Sequence, residues 1–456
     1  MSFRKRHPAL VPLLVLVAAV RVALLLGFHH RVYSGPSTQY EQSFVAIHLL
    51  AGQGVTTFRE PPAVTEPGDP GRFLDPEHYD VRPSGVLPYI KEVPGYAFFL
   101  AGLWKITGVK LWIFAQVIQI LFELLAAWSL YALTLRFFGP RAAKFSVLVF
   151  AFLFFEARAS VIPYKDIFLL YGMLVIAHAA SRIYFREGRS WLWFADACAA
   201  TGVTYYFMPS VLLYPLFLVV ALSALKRITL RTAVVWVLVA AAIVGVMVWP
   251  YQSYVRAHRS EPGVTPPLFW YRFWLGLQVR TFYSTEEERF QDYFREKTAA
   301  TGRSVEDLCK EEFLAYVKTH PFAYAAHTAK KLLYGTFLVY ANAGDAAYPS
   351  SYSYFKTQNP GAGFTAYARA NPPRILGMLA GTFSSSVLFP LALIAFVLLK
   401  RDRKSAVWVF LFQIPLYFLL LHMFFHYEAR YLTGTLAGYL PLAGYVLSRL
   451  FKSKAR

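Results

Sequence analysis

The stretch "MSFRKRHPALVPLLVLVAAVRVALLLGFHH", residues 1–30, sets the class of the fold. A basic start, RKR at 4–6, runs into an apolar segment over 9–28 that only Arg21 interrupts. A bilayer span needs about 20 apolar residues, so this segment is long enough to cross. It lacks the small-residue cleavage site of a secretory leader. It reads as an uncleaved first helix with its basic tail in the cytoplasm.

The whole chain agrees with that opening. Of its 456 residues 57% are hydrophobic, 18% aromatic and only 16% charged. A soluble domain carries roughly 25% charged residues. The net charge of +20 could signal nucleic acid. Its basic residues gather instead in short loops between apolar runs, which is the pattern of membrane topology rather than of a nucleic-acid-binding module. Two cysteines, Cys198 and Cys309, exclude a disulfide framework, and no bridge between them is expected.

Nine further apolar runs follow, at about 111–135, 143–162, 166–184, 190–207, 209–225, 232–250, 377–399, 405–424 and 432–449. With about ten spans, the basic loops at 4–6, 136–144, 181–189, 226–231, 400–404 and 449–456 all fall on one side. That consistency supports the count and puts both termini in the cytoplasm. The predicted fold is an all-α polytopic membrane protein with two large external loops containing juxtamembrane helices. Residues 1–250 form an N-terminal transmembrane module whose first external loop, 29–110, bears the candidate active site. Residues 251–376 form an external helical region, and 377–456 the C-terminal transmembrane helices. The segment 93–108 is too short for a comfortable span and reads as a half-buried or surface-lying helix. The segment 284–341 reads as two or three helices, with Ser304 as N-cap ahead of Glu306 and Asp307.

A transporter or flippase would place ionisable groups inside its spans. Arg21, Glu123, Glu156 and Asp196 are the candidates, with Glu123 the deepest and Asp196 a group that burial would pair. They are too few to trace a conduction path. The charges concentrate at the external face instead. "YSGPSTQYEQSFVAIHLLAGQG" (33–54) carries Glu41, and Thr38-x-x-Glu41 is a good capping box. "HYDVRPSGVLPYIKEVPGYAFF" (78–99) carries Asp80, Arg82, Lys91 and Glu92. "VIPYKDIFLLYG" (161–172) puts Lys165 and Asp166 at the start of a span, and "FFHYEARYL" (424–432) holds His426, Glu428 and Arg430.

In order along the chain, "TQYEQSFVAIHLLAGQG", "PGYAFFLAGLWKITG", "LYALTLRFFGPRAAKFSVLVFAFLF", "PYKDIF", "WPYQSYVRAH", "FLAYVKTHPFAYAAHTAKKL" and "EARYL" resemble the GT-C superfamily of glycosyltransferases. The likeness is to its family-39-type members, which include protein O-mannosyltransferases and lipid A aminoarabinose transferases. It implies transfer of a sugar from a polyprenyl-phosphate-linked donor to an acceptor glycan, lipid or protein. The implied site faces the external side of the inner cell membrane. In such enzymes the first loop reads Asp-x-x-Glu-Tyr; here Thr38 stands in the aspartate's place, Glu41 matches the Glu and Gln42 replaces the Tyr.

The resemblance therefore leaves Glu41 or Asp166 as catalytic base or acceptor-positioning acid. Lys91, Arg430 and Lys165 are the implied ligands of the donor phosphate, with Asp80, Arg256 and His426 in secondary places. The chemistry asks for little more. An acceptor hydroxyl needs a base, and the departing phosphate needs positive charge in a partly dehydrated site. In-line displacement inverts the anomeric centre, and neither metal nor other cofactor is required in principle; use of a divalent cation stays open. The expected partners are the lipid-linked donor, the acceptor and membrane lipids, not nucleic acid. The alternatives are a polyprenyl-lipid flippase and a catalytically weakened homologue that binds lipid or aids assembly.

Overall fold

The structure is a computed structural model, and it describes residues 9–28, 38–59, 63–64, 79–80, 85–153, 165–261, 269–278, 287–337, 359, 361, 363–370, 372, 375, 386–424 and 429–451. It divides into two compact units, one of residues 1–265, 387–417 and 433–456, the other of 266–386 and 418–432.

The first unit is helical. In chain order it holds α1 (Leu10–Phe28), α2 (Thr38–Leu50), α3 (Gly95–Thr107), α4 (Trp112–Phe138), α5 (Pro140–Ala151), α6 (Asp166–Tyr184), α7 (Ser190–Tyr205), α8 (Tyr214–Ala224) and α9 (Leu230–His258). Four helices of the described chain are long and apolar enough to cross a membrane: α4, α6, α9 and Ser405–Phe424. The protein is a membrane protein on that ground. The 13 residues of α3 extend only about 20 Å, which is the short helix expected over 93–108. Between α2 and α3 lie two antiparallel ladders of two strands each, which hydropathy alone does not announce. β1 (Thr56–Phe58) pairs with β4 (Val86–Pro88), and β2 (Ala63–Val64) with β3 (Tyr79–Asp80). Glu156 lies outside the described residues, and Asp196 is exposed on the surface of α7 rather than buried.

Two devices fix the bundle. Where the helix Leu436–Leu450 crosses α5, a Cβ on Gly444 would stand 2.0 Å from Ser146 Oγ. Only glycine allows that approach, and Ser146 uses it to donate to the Leu440 carbonyl at 3.0 Å. The second device is Arg21. Its Nη2 and Nε donate to Glu123 Oε2 at 2.9 and 3.2 Å, with both side chains fully buried. Its remaining donors reach the carbonyls of Phe150 and Ala151, where α5 ends. One cation thus joins α1 to α4 and satisfies carbonyls that the last turn of α5 leaves open.

The second unit holds α10 (Phe269–Gln278), α11 (Glu287–Thr301), α12 (Val305–Thr319), α13 (Pro321–Phe337) and α14 (Phe364–Ala370). The helices expected over 284–341 are the three from α11 to α13. Ser304 caps α12 as expected, accepting from the Asp307 N–H at 3.2 Å. Tyr271, Trp274, Leu275, Phe294, Leu308 and Cys309 form the core of this unit. Glu306 on α12 accepts the N–H groups of Phe269 and Trp270 at the open end of α10. At the other end of α10 the Gly276 carbonyl accepts from Lys331 at 3.2 Å and His327 at 2.7 Å. Cys198 and Cys309 are both free and buried.

Two predictions follow from these buried cations. Arg21→Leu or Glu123→Leu alone strands a charge and costs about 3–5 kcal/mol, whereas the double replacement recovers most of that; denaturation of the purified protein in detergent measures it. Lys331 is only 8% exposed, and burial lowers its ammonium pKa to about 8. The unfolded chain binds the proton more tightly, so stability rises with pH between about 8 and the ordinary lysine value near 10.4. Lys331→Met raises the thermal midpoint at pH 7, by about 2–3 kcal/mol of stability, and the gain fades as pH climbs through that window.

Candidate active site

The site is built around residues 89–95, which run as a strap from β4 into α3. Gln42, fully buried on α2, holds both ends of it. Its Nε2 donates to the Tyr89 hydroxyl at 3.2 Å and the Val93 carbonyl at 3.4 Å. Its Oε1 accepts the Ala97 N–H at 3.2 Å, one of the donors that the first turn of α3 leaves open. From α9, the Tyr251 hydroxyl donates to the Glu92 carbonyl at 2.8 Å and lies 3.1 Å from that of Ile90. From the end of α7, the Tyr206 carbonyl accepts the Gly95 N–H at 2.8 Å. A Cβ on Gly95 would stand 2.3 Å from that oxygen, so the approach needs glycine.

Three elements therefore grip the backbone on either side of Lys91 and Glu92. The two side chains reach different partners. Lys91 Nζ pairs with Glu41 Oε1 at 2.8 Å, and Glu92 Oε2 with Lys165 Nζ at 2.6 Å. Lys165 immediately precedes Asp166, the first residue of α6, where the helix dipole favours an acid. Asp166 is buried.

The two ion pairs differ in kind. Lys91 and Glu41 are 43% and 35% exposed, while Lys165 and Glu92 are 6% and 18% exposed. An exposed pair is worth about 0–1 kcal/mol, so the outer one exchanges partners readily. Lys165 is buried and Glu92 half-buried, so breaking the inner pair from one side costs toward the roughly 3–5 kcal/mol of a buried pair, and it holds. Glu41 has one oxygen to spare: Oε2 is buried and accepts no hydrogen bond. Behind it, His48 is fixed by Thr56, whose hydroxyl donates to the Gln53 carbonyl and so accepts from His48 Nδ1–H at 2.8 Å. Burial lowers the His48 pKa, in keeping with a neutral ring.

Of the residues singled out in the sequence, the structure joins Glu41, Lys91, Lys165 and Asp166 in this chain of neighbours. Arg256 sits elsewhere on α9, exposed and 5.1 Å from the Trp249 ring centroid. Asp80 pairs with Ala63 in the second ladder, with its side chain outside those described. The same holds for Thr38, at the head of α2, and for Arg430, in the short 3-10 helix Ala429–Thr435; His426 lies outside the described residues. Among the described residues, no group of three or more His, Cys, Asp or Glu side chains is placed to hold a metal ion.

Sequence reasoning did not assign Glu92, Gln42 or Tyr251 to the site. Glu92 stood beside a named lysine without a visible partner. Gln42 was visible as a departure from the Asp-x-x-Glu-Tyr pattern, and Tyr251 within "WPYQSYVRAH".

Residues 91–251 match the family model described as dolichyl-phosphate-mannose-protein mannosyltransferase. The match opens on Lys91 and closes on Tyr251, the strap's cation and the tyrosine that holds its backbone. Among solved structures, the archaeal oligosaccharyltransferase AglB from Archaeoglobus fulgidus, in complex with an inhibitory peptide and a dolichol-phosphate, aligns over 99% of this chain at 13% identity and a TM-score of 0.51. The Archaeoglobus fulgidus oligosaccharyltransferase tethered to an acceptor peptide aligns over 97% at 12% identity and a TM-score of 0.52. The chain spans about half of each, 51% and 49%. ArnT from Cupriavidus metallidurans bound to undecaprenyl phosphate aligns over 97% of this chain and 78% of its own, at 15% identity and a TM-score of 0.41. No curated protein matches the sequence. The fold is similar to that of these oligosaccharyltransferases, and the matched segment agrees with the GT-C resemblance carried by the sequence motifs.

The close approach at Gly95 is testable. Gly95→Ala drives a methyl group into a backbone carbonyl that cannot rotate away. Overpacking of this kind costs about 1–3 kcal/mol. We expect a lower thermal midpoint and faster hydrogen exchange in the strap amides, while Gly102→Ala on the open face of α3 changes neither.

Proposed function

We propose that this protein transfers a sugar from a polyprenyl-phosphate-linked donor to an acceptor hydroxyl or phosphate at the external face of the cell membrane. The observation that carries this reading is the exchangeable Glu41–Lys91 pair, set one residue from a buried pair that leads to Asp166. Further support comes from the matched family model and from the similar oligosaccharyltransferase solved in complex with a dolichol-phosphate. The inner membrane, with both termini cytoplasmic, belongs to the same proposal and rests on the charge of the loops.

In this reading the donor phosphate replaces Glu41 as the partner of Lys91. That exchange has two effects at once. It gives the lysine to the phosphate, and it returns Glu41 Oε1 to join the already vacant Oε2. The acceptor oxygen then attacks the anomeric carbon. A bond forms between that carbon and the acceptor, the bond to the phosphate oxygen breaks, and the anomeric centre inverts. The acceptor proton passes to Glu41 or Asp166, and polyprenyl phosphate departs with its new negative charge facing Lys91. The carboxylates and lysines supply base and counter-charge without a step that requires another cofactor.

The test is transfer and binding on the purified full chain. With radiolabelled polyprenyl-phospho-sugars and membrane extract as acceptor, Glu41→Gln and Asp166→Asn are assayed in parallel. The base among them loses about 10²–10⁴-fold in rate. Glu41→Gln also removes the competitor of the phosphate, so polyprenyl phosphate binds as tightly as to the native chain or tighter, whereas Lys91→Met weakens it. Transfer that survives both acid substitutions unchanged defeats the site assignment. Lipid translocation without sugar transfer marks a flippase, and lipid binding with neither marks a homologue that has lost its chemistry.

A further inference from the structure

We infer that Glu92 is a positioning residue of this site, acting through Lys165: their buried pair anchors the strap that presents Lys91, and it keeps Lys165 from serving as a ligand of the donor phosphate. The inference rests on the transferase reading above and deepens it.

Lys91 and Glu92 are neighbours, yet their side chains part. Lys91 turns to Glu41 on α2, and Glu92 turns to Lys165 at the head of α6. Tyr251 holds the Glu92 carbonyl, so that residue is fixed at both its backbone and its carboxylate. The ammonium of Lys165 is almost wholly enclosed, at 6% side-chain exposure. An anion arriving from outside meets Lys91 first, because Lys91 is the exposed lysine of the two.

Charge bookkeeping favours the same division of labour. Among the described residues, Glu41, Glu92 and Asp166 outnumber Lys91 and Lys165 in this chain of neighbours. Were both lysines to turn to the phosphate, Glu92 would lose its contact with Lys165 while largely enclosed. Were Lys91 alone to turn, the group left behind is Glu41, which is one-third exposed and has chemistry to perform. The inner pair thus lets the outer one exchange without disturbing the strap. It also seats Lys165, and with it Asp166, relative to Lys91.

The experiment uses the full chain in lipid nanodiscs with undecaprenyl phosphate as the binding probe, alongside the transfer assay. The variants are Lys165→Met, the double variant Glu92→Gln with Lys165→Met, and the exchange Glu92→Lys with Lys165→Glu. The double variant removes both charges of the pair together, so it is the gentler change where Glu92→Gln alone fails to fold.

We expect the double variant to keep undecaprenyl phosphate affinity within about 3-fold while kcat falls about 100-fold, the cost of a misplacement near 1 Å. The charge exchange recovers at least about 10-fold of that loss, since it restores an ion pair at the same place. Amide exchange over 89–95 quickens in the double variant and is slowed again in the charge exchange. A Lys165→Met variant that loses about 10-fold or more in lipid affinity at unchanged kcat would make Lys165 a phosphate ligand and overturn the inference. So would native kcat in the double variant. A native chain that neither binds the lipid nor transfers sugar defeats the transferase reading instead. The exchange rates over 89–95 then still report whether the pair anchors the strap.

Discussion

A charge withdrawn from water must find its counter-charge and its hydrogen bonds within the protein, and the first unit of this chain is organised around two places where that demand is met. Arg21 spends its donors on Glu123 and on the last carbonyls of α5. Lys165 is held by Glu92. Loss of the partner leaves a buried ion short of counter-charge, which costs several kcal/mol even after relaxation. The bundle can therefore close only in a register that brings α1, α4 and the end of α5 together. The strap can settle only where Glu92 meets the head of α6.

The same physics separates what is fixed in the site from what can change. The inner pair is enclosed and the outer pair is wet. Water and salt screen Lys91 and Glu41, so little is lost when either takes another partner. Gln42, Tyr251 and the Tyr206 carbonyl hold the backbone between the two pairs with ordinary hydrogen bonds. In the proposed reaction a rigid strap and one exchangeable side-chain contact suffice to face a leaving phosphate.

Much of the fold was legible before the structure. The helices α1, α4, α6, α7 and Ser405–Phe424 fall within a few residues of the apolar runs that announce them. Long hydrophobic segments are the strongest signal a sequence carries, because a bilayer demands length and apolarity together. Ser304 was legible as a cap because capping is a matter of three or four adjacent residues. The small ladders between α2 and α3 were not. Thr56 and Pro88 pair across an insertion that carries no alternating hydrophobic pattern. Asp196 lies in an apolar helix yet faces outward, because position on the helix face, not composition, decides exposure.

The candidate site divides along the same line. Sequence alone determined that charged groups gather at the ends of spans, and it singled out Glu41, Asp166, Lys91, Arg430 and Lys165. It carried the resemblance to the GT-C superfamily as well, through short motifs kept in order. Only the tertiary structure decided which acid meets which base. Glu41 meets Lys91 across 50 residues and Glu92 meets Lys165 across 73. Pairings at that separation depend on how α2, the strap and α6 pack, and no local pattern encodes them. Packing likewise made one lysine accessible and enclosed the other. Exposure belongs to the assembled surface, and two lysines that look alike in sequence differ there in what they can bind.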